Sequence, residues 1–329
     1  DSEKIIHYWG NTDAYHFIDR QVKDSFYLEQ DELKDQLKND NNIYEQGLEK
    51  TPAIISSERL LEKIIKDHSS LCRFGDGEFE MIRRRKRPWF QVSSEKLSER
   101  LIEVISSDDK KINIAIGDLY GALDKYTEEA AFAMRKYLTP ETRMEHYRYL
   151  QFNRSYFDAY VTRPYLIYND KQYCIKIFEL WKKIFCDRNM LLVEGMYSRF
   201  GVSNNILDSA RSIRRIICPP KNAFSKYDSI FGTVRKVAQK DDLILITLGP
   251  AATVLAYDLA KAGYQSIDIG QLDNEYDWYH RRAEKQIPIK GKGVAESYVG
   301  RVPDEDDDIE LSKYKNECIA FIESEEEWI

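Results

Sequence analysis

The chain has 329 residues, 43% of them hydrophobic and 32% charged, with a formal net charge of −7. That length suits one large domain or two small ones, and a core of that size buries most of its apolar surface without covalent staples. The acidic balance argues against general nucleic-acid binding through neutralised phosphates.

Residues 1–52 are polar and charged, with Phe26, Leu28, Leu33 and Leu37 loosely spaced for a helix. They read as a helical N-terminal extension that packs on the main domain or on a partner, with a flexible leader as the alternative. From residue 53 the pattern becomes helices alternating with short apolar strands. Ser57 can cap a helix whose Leu60, Leu61, Ile64 and Ile65 share one face. Leu71–Phe74 is a predicted strand ending at Gly75. Ser94 opens a helix that buries Leu97, Leu101, Val104 and Ile105, and Ile112–Ile116 is a strand ending at Gly117-Asp118. Further strands are predicted at Met190–Val193, Arg215–Cys218, Leu243–Thr247 and Ser266–Ile269, with a helix from about Ala251 to Ala262.

Such alternation predicts an α/β fold with a mostly parallel, Rossmann-like sheet flanked by helices over residues 53–300. In open sheets of this kind, ligands sit at the carboxyl ends of strands. Residues 301–329, with Asp304–Asp308 and Glu323–Glu327, read as a solvated acidic tail. No apolar run approaches the roughly 20 residues of a membrane-spanning helix. Neither a signal pattern nor a C-x-x-C pair is present among Cys72, Cys174, Cys186, Cys218 and Cys318, so a cytoplasmic location is expected.

Five strand ends carry candidate chemistry. After the 71–74 strand comes Arg73-Phe74-Gly75-Asp76-Gly77-Glu78. Gly75 and Gly77 permit tight backbone geometry and close approach of a ligand. A turn here can aim Asp76 and Glu78 at one ion, and hard oxygen ligands suit Mg²⁺ or Mn²⁺ bridging phosphate oxygens. An ordinary capped turn is the alternative. Glu194-Gly195-Met196-Tyr197-Ser198-Arg199 offers Ser198 and Arg199 to a phosphate, or Arg199 to a structural salt bridge. Pro219-Pro220-Lys221-Asn222 stops a strand before a helix, so Lys221 and Asn222 can meet an anion, or Asn222 or Ser225 can cap the helix. Gly249-Pro250 lets a ligand approach backbone amides but is neither a dinucleotide fingerprint nor a Walker loop. Asp268 to Trp278 holds four acids among aromatic neighbours, from which a proton acceptor or a further metal ligand can come. The basic run Arg83–Arg87, ahead of Pro88-Trp89, reads as a solvated loop with phosphate or membrane contact as the alternative. His280 reads as a packing or surface residue.

Together these segments resemble the glycosyltransferase family of GT-D type, formerly a domain of unknown function, over about residues 55–300. The resemblance rests on R-F-G-D-G-E at 73–78, E-G-x-x-S-R-x-G at 194–201, P-x-K-N-A-F at 219–224, L-G-P-x-A-T-V-L-A-Y-D-L at 248–259 and D-I-G-x-x-D-x-E-Y-x-W at 268–278. Bacterial members of this kind glycosylate serine-rich surface adhesins or act in surface-glycan clusters. The resemblance implies a Rossmann-like fold, a UDP-sugar donor with glucose favoured, a glycan or glycoprotein acceptor, and Mn²⁺ or Mg²⁺ at Asp76 and Glu78. It departs from the family at Asp277, usually Glu, and at Gln271, often His, which bears on sugar preference and rate.

On this reading Arg73, Gly75, Gly77, Glu194, Ser198, Arg199, Lys221, Asn222, Gly249 and Pro250 bind the nucleotide sugar. Asp277, Glu275 and Gln271 serve the reaction itself, with Asp277 or Glu275 taking the proton of the acceptor hydroxyl if configuration inverts. A Mg²⁺-dependent phosphohydrolase and a non-catalytic nucleotide-sugar-binding module are the alternatives, and a homo-oligomer stays open.

Overall fold

The computed structural model describes residues 30–85, 90–293 and 309–323. Its strands are β1 (Ala53–Ile55), β2 (Ser70–Phe74), β3 (Ile112–Ile116), β4 (Ser155–Asp158), β5 (Asn189–Gly195), β6 (Ser212–Cys218), β7 (Leu243–Thr247), β8 (Gln265–Asp268) and β9 (Cys318–Phe321). They form one sheet in the order β1-β4-β3-β2-β8-β7-β5-β6-β9, with every neighbouring pair parallel. The apolar runs in β3 and β7 are buried on both faces, as a parallel sheet covered by helices requires. Alternate residues of β5 divide between two cores. Leu191 and Val193 join Phe74, Ile246 and Leu255 on one face, while Met190 and Leu192 join Leu60, Phe178 and Trp181 on the other.

The middle of this sheet is its weakest line in backbone terms. β2 and β8 pair through Leu71 and Ile267 alone, whereas β5 and β6 run in register from Asn189/Ser212 to Gly195/Cys218. Side chains reinforce the seam. Ser70 Oγ accepts the Ser266 N–H at 3.0 Å, and Thr253 donates to the Arg73 carbonyl at 2.9 Å. Thr253 lies on the helix Pro250–Lys261, which packs across β2 and β8. From β2 the chain leads outward through β3 and β4, and from β5 it leads the other way through β6. The loops after β2, β8, β7, β5 and β6 therefore stand side by side at the carboxyl edge, where such folds bind ligands.

Several sequence expectations change. Ser56, not Ser57, caps the helix Ser57–Asp67, because Ser57 Oγ donates instead to the buried Asp158 carboxylate at 2.7 Å. The expected helical extension is present at residues 30–45, docked on the body of the protein. Asn41 accepts from Arg143 at 2.8 Å, the Arg143 guanidinium lies 3.7 Å from the centre of the Tyr44 ring, and Glu45 pairs with Arg135 at 2.6 Å. Phe26 and Leu28 lie outside the described residues. Arg83 is not part of a solvated loop, being buried in ion pairs with Glu80 and Glu145, while Lys86–Trp89 lie outside the described residues.

The largest correction concerns the acidic tail. Residues 309–317 are helical, and β9 completes the sheet beside β6. β6 would otherwise present an open edge, and Ala320 and Ile322 pack against the core there. Glu317 closes onto Arg215, a guanidinium only 2% exposed that also holds Glu194 at 2.6 Å. Asp304–Asp308 and Glu325–Glu327 lie outside the described residues. Since removing one member of a buried ion pair leaves the other charge uncompensated, Arg215→Ala is expected to lower unfolding free energy by about 3–5 kcal/mol. Urea titration reads this directly, and a loss under about 1 kcal/mol would show that the pair is not a structural anchor.

Candidate active site

β2 ends in a strand-to-helix turn. Gly75 stands before the helix Asp76–Ile82, and Glu78 folds back so that its Oε2 accepts the Gly75 N–H at 2.7 Å. Asp76 and Glu78 thus occupy one helical turn rather than an open loop. Asp76 is exposed at its start, and Glu78 is half-buried with one oxygen engaged. The helix is held from below by His146, whose ring stacks 3.8 Å from that of Phe79. Tyr120 and Tyr137 hydroxyls meet the two nitrogens of His146 at 2.7 and 3.1 Å. Burial, with Arg83 and Arg143 nearby, pulls the His146 pKa down to about 3, so the ring is neutral at ordinary pH.

Behind the turn, Arg73 bridges to β8. Its Nε donates to the Asp268 carbonyl at 3.0 Å, its Nη2 to Asp268 Oδ1 at 3.1 Å and its Nη1 to the Ala159 carbonyl at 3.4 Å. The guanidinium passes so close to Gly270 that a Cβ there would stand 2.0 Å from Nη2, at a backbone φ of 51°. Glycine is required at that position on both counts. Burial pushes the Asp268 carboxyl up, with Arg73 and Thr253 opposing. Burial and then the charge of Asp268 raise Glu78 to about 7, against the Gly75 N–H and Arg73. Gln271 follows, with its side-chain oxygen buried and without a hydrogen-bond partner among the described residues.

The remaining strand ends form the other wall. Ser198 and Thr247 hydroxyls, at the ends of β5 and β7, lie 2.9 Å apart. Gly249, at φ 55°, leaves room for Phe90, whose Cε1 would be 2.2 Å from a Cβ there. Phe90 belongs to a strap across this edge. Asn222 donates its N–H to the Phe90 carbonyl at 2.7 Å and accepts from the Gln91 side chain at 2.8 Å. Lys221 is exposed beside it, Pro250 is buried as the first residue of its helix, and the Arg199 guanidinium lies 5.5 Å from the Tyr314 ring centre.

Sequence and structure agree on where the segments meet and differ on several roles. Arg73, Gly75, Asp76, Gly77, Glu78 and Gln271 come together at the adjacent ends of β2 and β8. Glu194, expected to bind the donor, is instead fully buried. It holds Arg215 and accepts the Phe200 N–H at 2.8 Å. Asn222 latches the strap rather than capping a helix. Both expected proton acceptors have structural partners. Glu275 is fully buried and caps the short Pro164–Ile167 helix by accepting the Tyr165 and Leu166 N–H groups at 2.8 and 3.0 Å. Asp277 shares the buried Lys292 ammonium with Asp273 at 2.7 and 2.6 Å, the two acids being one helical turn apart. His280 is exposed and lies edge-on against Tyr276, in keeping with a surface or packing residue.

The sequence offers Asp268 only as one of four acids at 268–277, Asp118 only as a strand end and Thr253 only within the 248–259 motif, without the roles the structure gives them; the Phe90 strap has no local signal. Asp118, partly exposed after β3, pairs with Lys125.

Comparison with known proteins places the chain. A family profile described as glycosyltransferase GT-D fold matches residues 71–297, and the chain belongs to that family. It is 36% identical over 253 residues to a probable glycosyl transferase Gly of Streptococcus gordonii, covering 75% of this chain and 36% of that protein. It is 34% identical over 266 residues to glycosyltransferase GlyD of Streptococcus pneumoniae serotype 4 (strain ATCC BAA-334 / TIGR4), covering 80% and 31%. The chain therefore spans about a third of the length of these curated relatives. Among solved structures it resembles a new glycosyltransferase from Streptococcus sanguinis, at 31% identity, a TM-score of 0.74 and coverage of 83% of this chain and 100% of that one. A second, described as the highly conserved domain of unknown function 1792 with a distinct glycosyltransferase fold, matches at 32% identity and a TM-score of 0.75, covering 83% and 96%.

The Glu78 carboxyl, ordinarily at 4.5 and here at about 7, holds its proton in the folded protein over a range where the unfolded chain has lost it. The stability this supplies is complete below about pH 4.5 and is lost as pH rises through about 7. Glu78→Gln keeps an acceptor for the Gly75 N–H but cannot titrate. In metal-free buffer its melting temperature should fall less than that of the parent between those pH values; identical slopes would mean that Glu78 ionises normally.

Proposed function

We propose that this chain transfers a hexose, glucose in first place, from a UDP-sugar to a hydroxyl of a glycan acceptor with the help of Mn²⁺ or Mg²⁺. The observation that carries the reading is the row of five neighbouring strand-end loops at the carboxyl edge of the sheet, with exposed Asp76 and half-buried Glu78 at the end of β2. Family membership and the similarity to streptococcal glycosyltransferases support it.

The residues present fit a divalent cation of this type. Among the described residues, no group of three or more His, Cys, Asp or Glu side chains is arranged to hold an ion. A hard cation that is completed by substrate phosphates needs only one or two carboxylates. Glu78 and Asp268 repel each other across the turn, and positive charge beside them would relieve that repulsion. Asp76 and Glu78 would hold the ion, which when bound supplies Lewis-acid stabilisation of the departing diphosphate. The chain's own residues do the rest. Arg73 fixes Asp268 and the turn in place, so the carboxylates need not reorganise during reaction. Gly270 and Gly249 make room for Arg73 and Phe90 and not for a ligand, Ser198 offers a hydroxyl at the end of β5, and Lys221 adds exposed positive charge nearby. The Gln271 oxygen, buried without a partner, is positioned to accept from a sugar hydroxyl, a bond that would discriminate between donors.

UDP release from UDP-glucose in the presence of Mn²⁺ tests the proposal. Asp76→Asn should reduce it by about 10²–10³-fold, the usual cost of one electrostatic stabiliser, while leaving the melting temperature within the parent's range. Full turnover in that variant would remove Asp76 from the site. Nucleotide binding without turnover would favour a binding module, and phosphate release from simple phosphoesters would favour a hydrolase. A separate comparison addresses selectivity: Gln271→His should change the ranking of a panel of UDP-sugars, and an unchanged ranking would place Gln271 outside the donor pocket.

A further inference from the structure

Between the docked N-terminal helix and the loop after β3 lies a cavity of about 540 Å³. Its size falls within the roughly 300–1,000 Å³ of small-molecule sites. The helix over residues 30–45 turns two different faces to the protein. Asn41 and Tyr44 anchor it on Arg143, whereas Lys38, Asn42 and Gln46, spaced one turn apart, line the cavity. Opposite them stand Glu128, Arg135 and Asn169. Ion pairs of Glu45 with Arg135 and of Lys38 with Glu128 brace the walls. Asn42 and Gln46 are exposed residues of the cavity lining, and their side-chain amides make no hydrogen bond among the described residues.

We propose that this cavity binds the acceptor as a neutral glycan, so that the N-terminal helix is a specificity element of the transferase. The inference rests on the glycosyl-transfer reading above and adds a second ligand site to it. Three observations support the ligand class. Unpartnered amides both donate and accept, which matches the paired character of sugar hydroxyls. The cavity's two cations, Arg135 and Lys38, are already paired with Glu45 and Glu128, so the lining offers a diphosphate little positive charge. Leu123 and Tyr126 line the cavity but are themselves only 3% and 4% exposed, so the accessible lining is chiefly polar, as a hydroxyl-rich ligand requires.

Position links the cavity to the reaction. The loop that lines it leaves the carboxyl end of β3, next to β2. Tyr126 donates to the Asp118 carbonyl at 2.8 Å, and its ring centre is 5.7 Å from that of Tyr160. The Tyr160 hydroxyl in turn lies within electrostatic reach of both Asp118 and Asp76. The cavity thus borders the loop that follows β3, the strand beside the one that leads into the Asp76 turn.

Saturation-transfer NMR on the full chain, with the p-nitrophenyl glycosides of glucose, N-acetylglucosamine, galactose and N-acetylgalactosamine as probes, tests the proposal. At least one should bind, should resist displacement by UDP with Mn²⁺, and should lose about tenfold in affinity in the Asn42→Ala/Gln46→Ala double variant, the equivalent of one or two hydrogen bonds. The melting temperature of the variant reports whether the helix remains docked. Absence of binding by all four probes, displacement by UDP, or undiminished binding in a folded double variant would each overturn the assignment. UDP release without acceptor is measured alongside on the parent chain. Its failure would strike the donor reading and leave the glycoside result to be read on its own.

Discussion

The Arg73–Asp268 pair is the contact on which the rest of the arrangement depends. It crosses the one place where the nine-stranded sheet has almost no ladder, and it ties the β1-β4-β3-β2 half to the β8-β7-β5-β6-β9 half. A guanidinium that donates to both the backbone and the side chain of one residue gives a rigid, directional link, which a lysine could not reproduce. The close approach demands Gly270, and the Asp268 carboxylate demands Thr253 as a second donor. The residues that join the two halves of the sheet are therefore the same ones that border the candidate site at the end of β2.

That economy has an electrostatic consequence. Asp268 is needed to hold the seam, yet its charge and the loss of water raise the pKa of neighbouring Glu78. The turn carries carboxylate charge that its own surroundings only partly offset. A carboxylate pair of this kind favours positive charge beside it. The far wall differs in character. Ser198, Thr247, Gly249 and the Phe90 strap are neutral and closely fitted, suited to shape rather than charge.

Some of this was legible along the chain. The apolar runs of β2, β3, β5 and β7 and the glycines or acids that end them are local features, and they point to a parallel sheet with a busy carboxyl edge. Short edge elements were not legible. β1 has three residues, β4 has four, and β9 lies beyond a run of acids that locally reads as solvent-facing. β9 forms because β6 offers it an edge and Arg215 offers Glu317 a buried charge, and neither condition is local.

The sequence by itself determined the alternation of strands and helices, the five strand-end segments and the family they mark, because each depends on residues within a few positions of one another. Only the tertiary structure decided what each acid does. Glu194, Glu275 and Asp277 look as available as Asp76 in one dimension. In three, Glu194 has Arg215, Glu275 has the amides of a short helix and Asp277 has Lys292, while Asp76 stands exposed at the end of β2. The physical reason is that a carboxylate's role depends on which donors and charges reach it, and those arrive from segments tens of residues away.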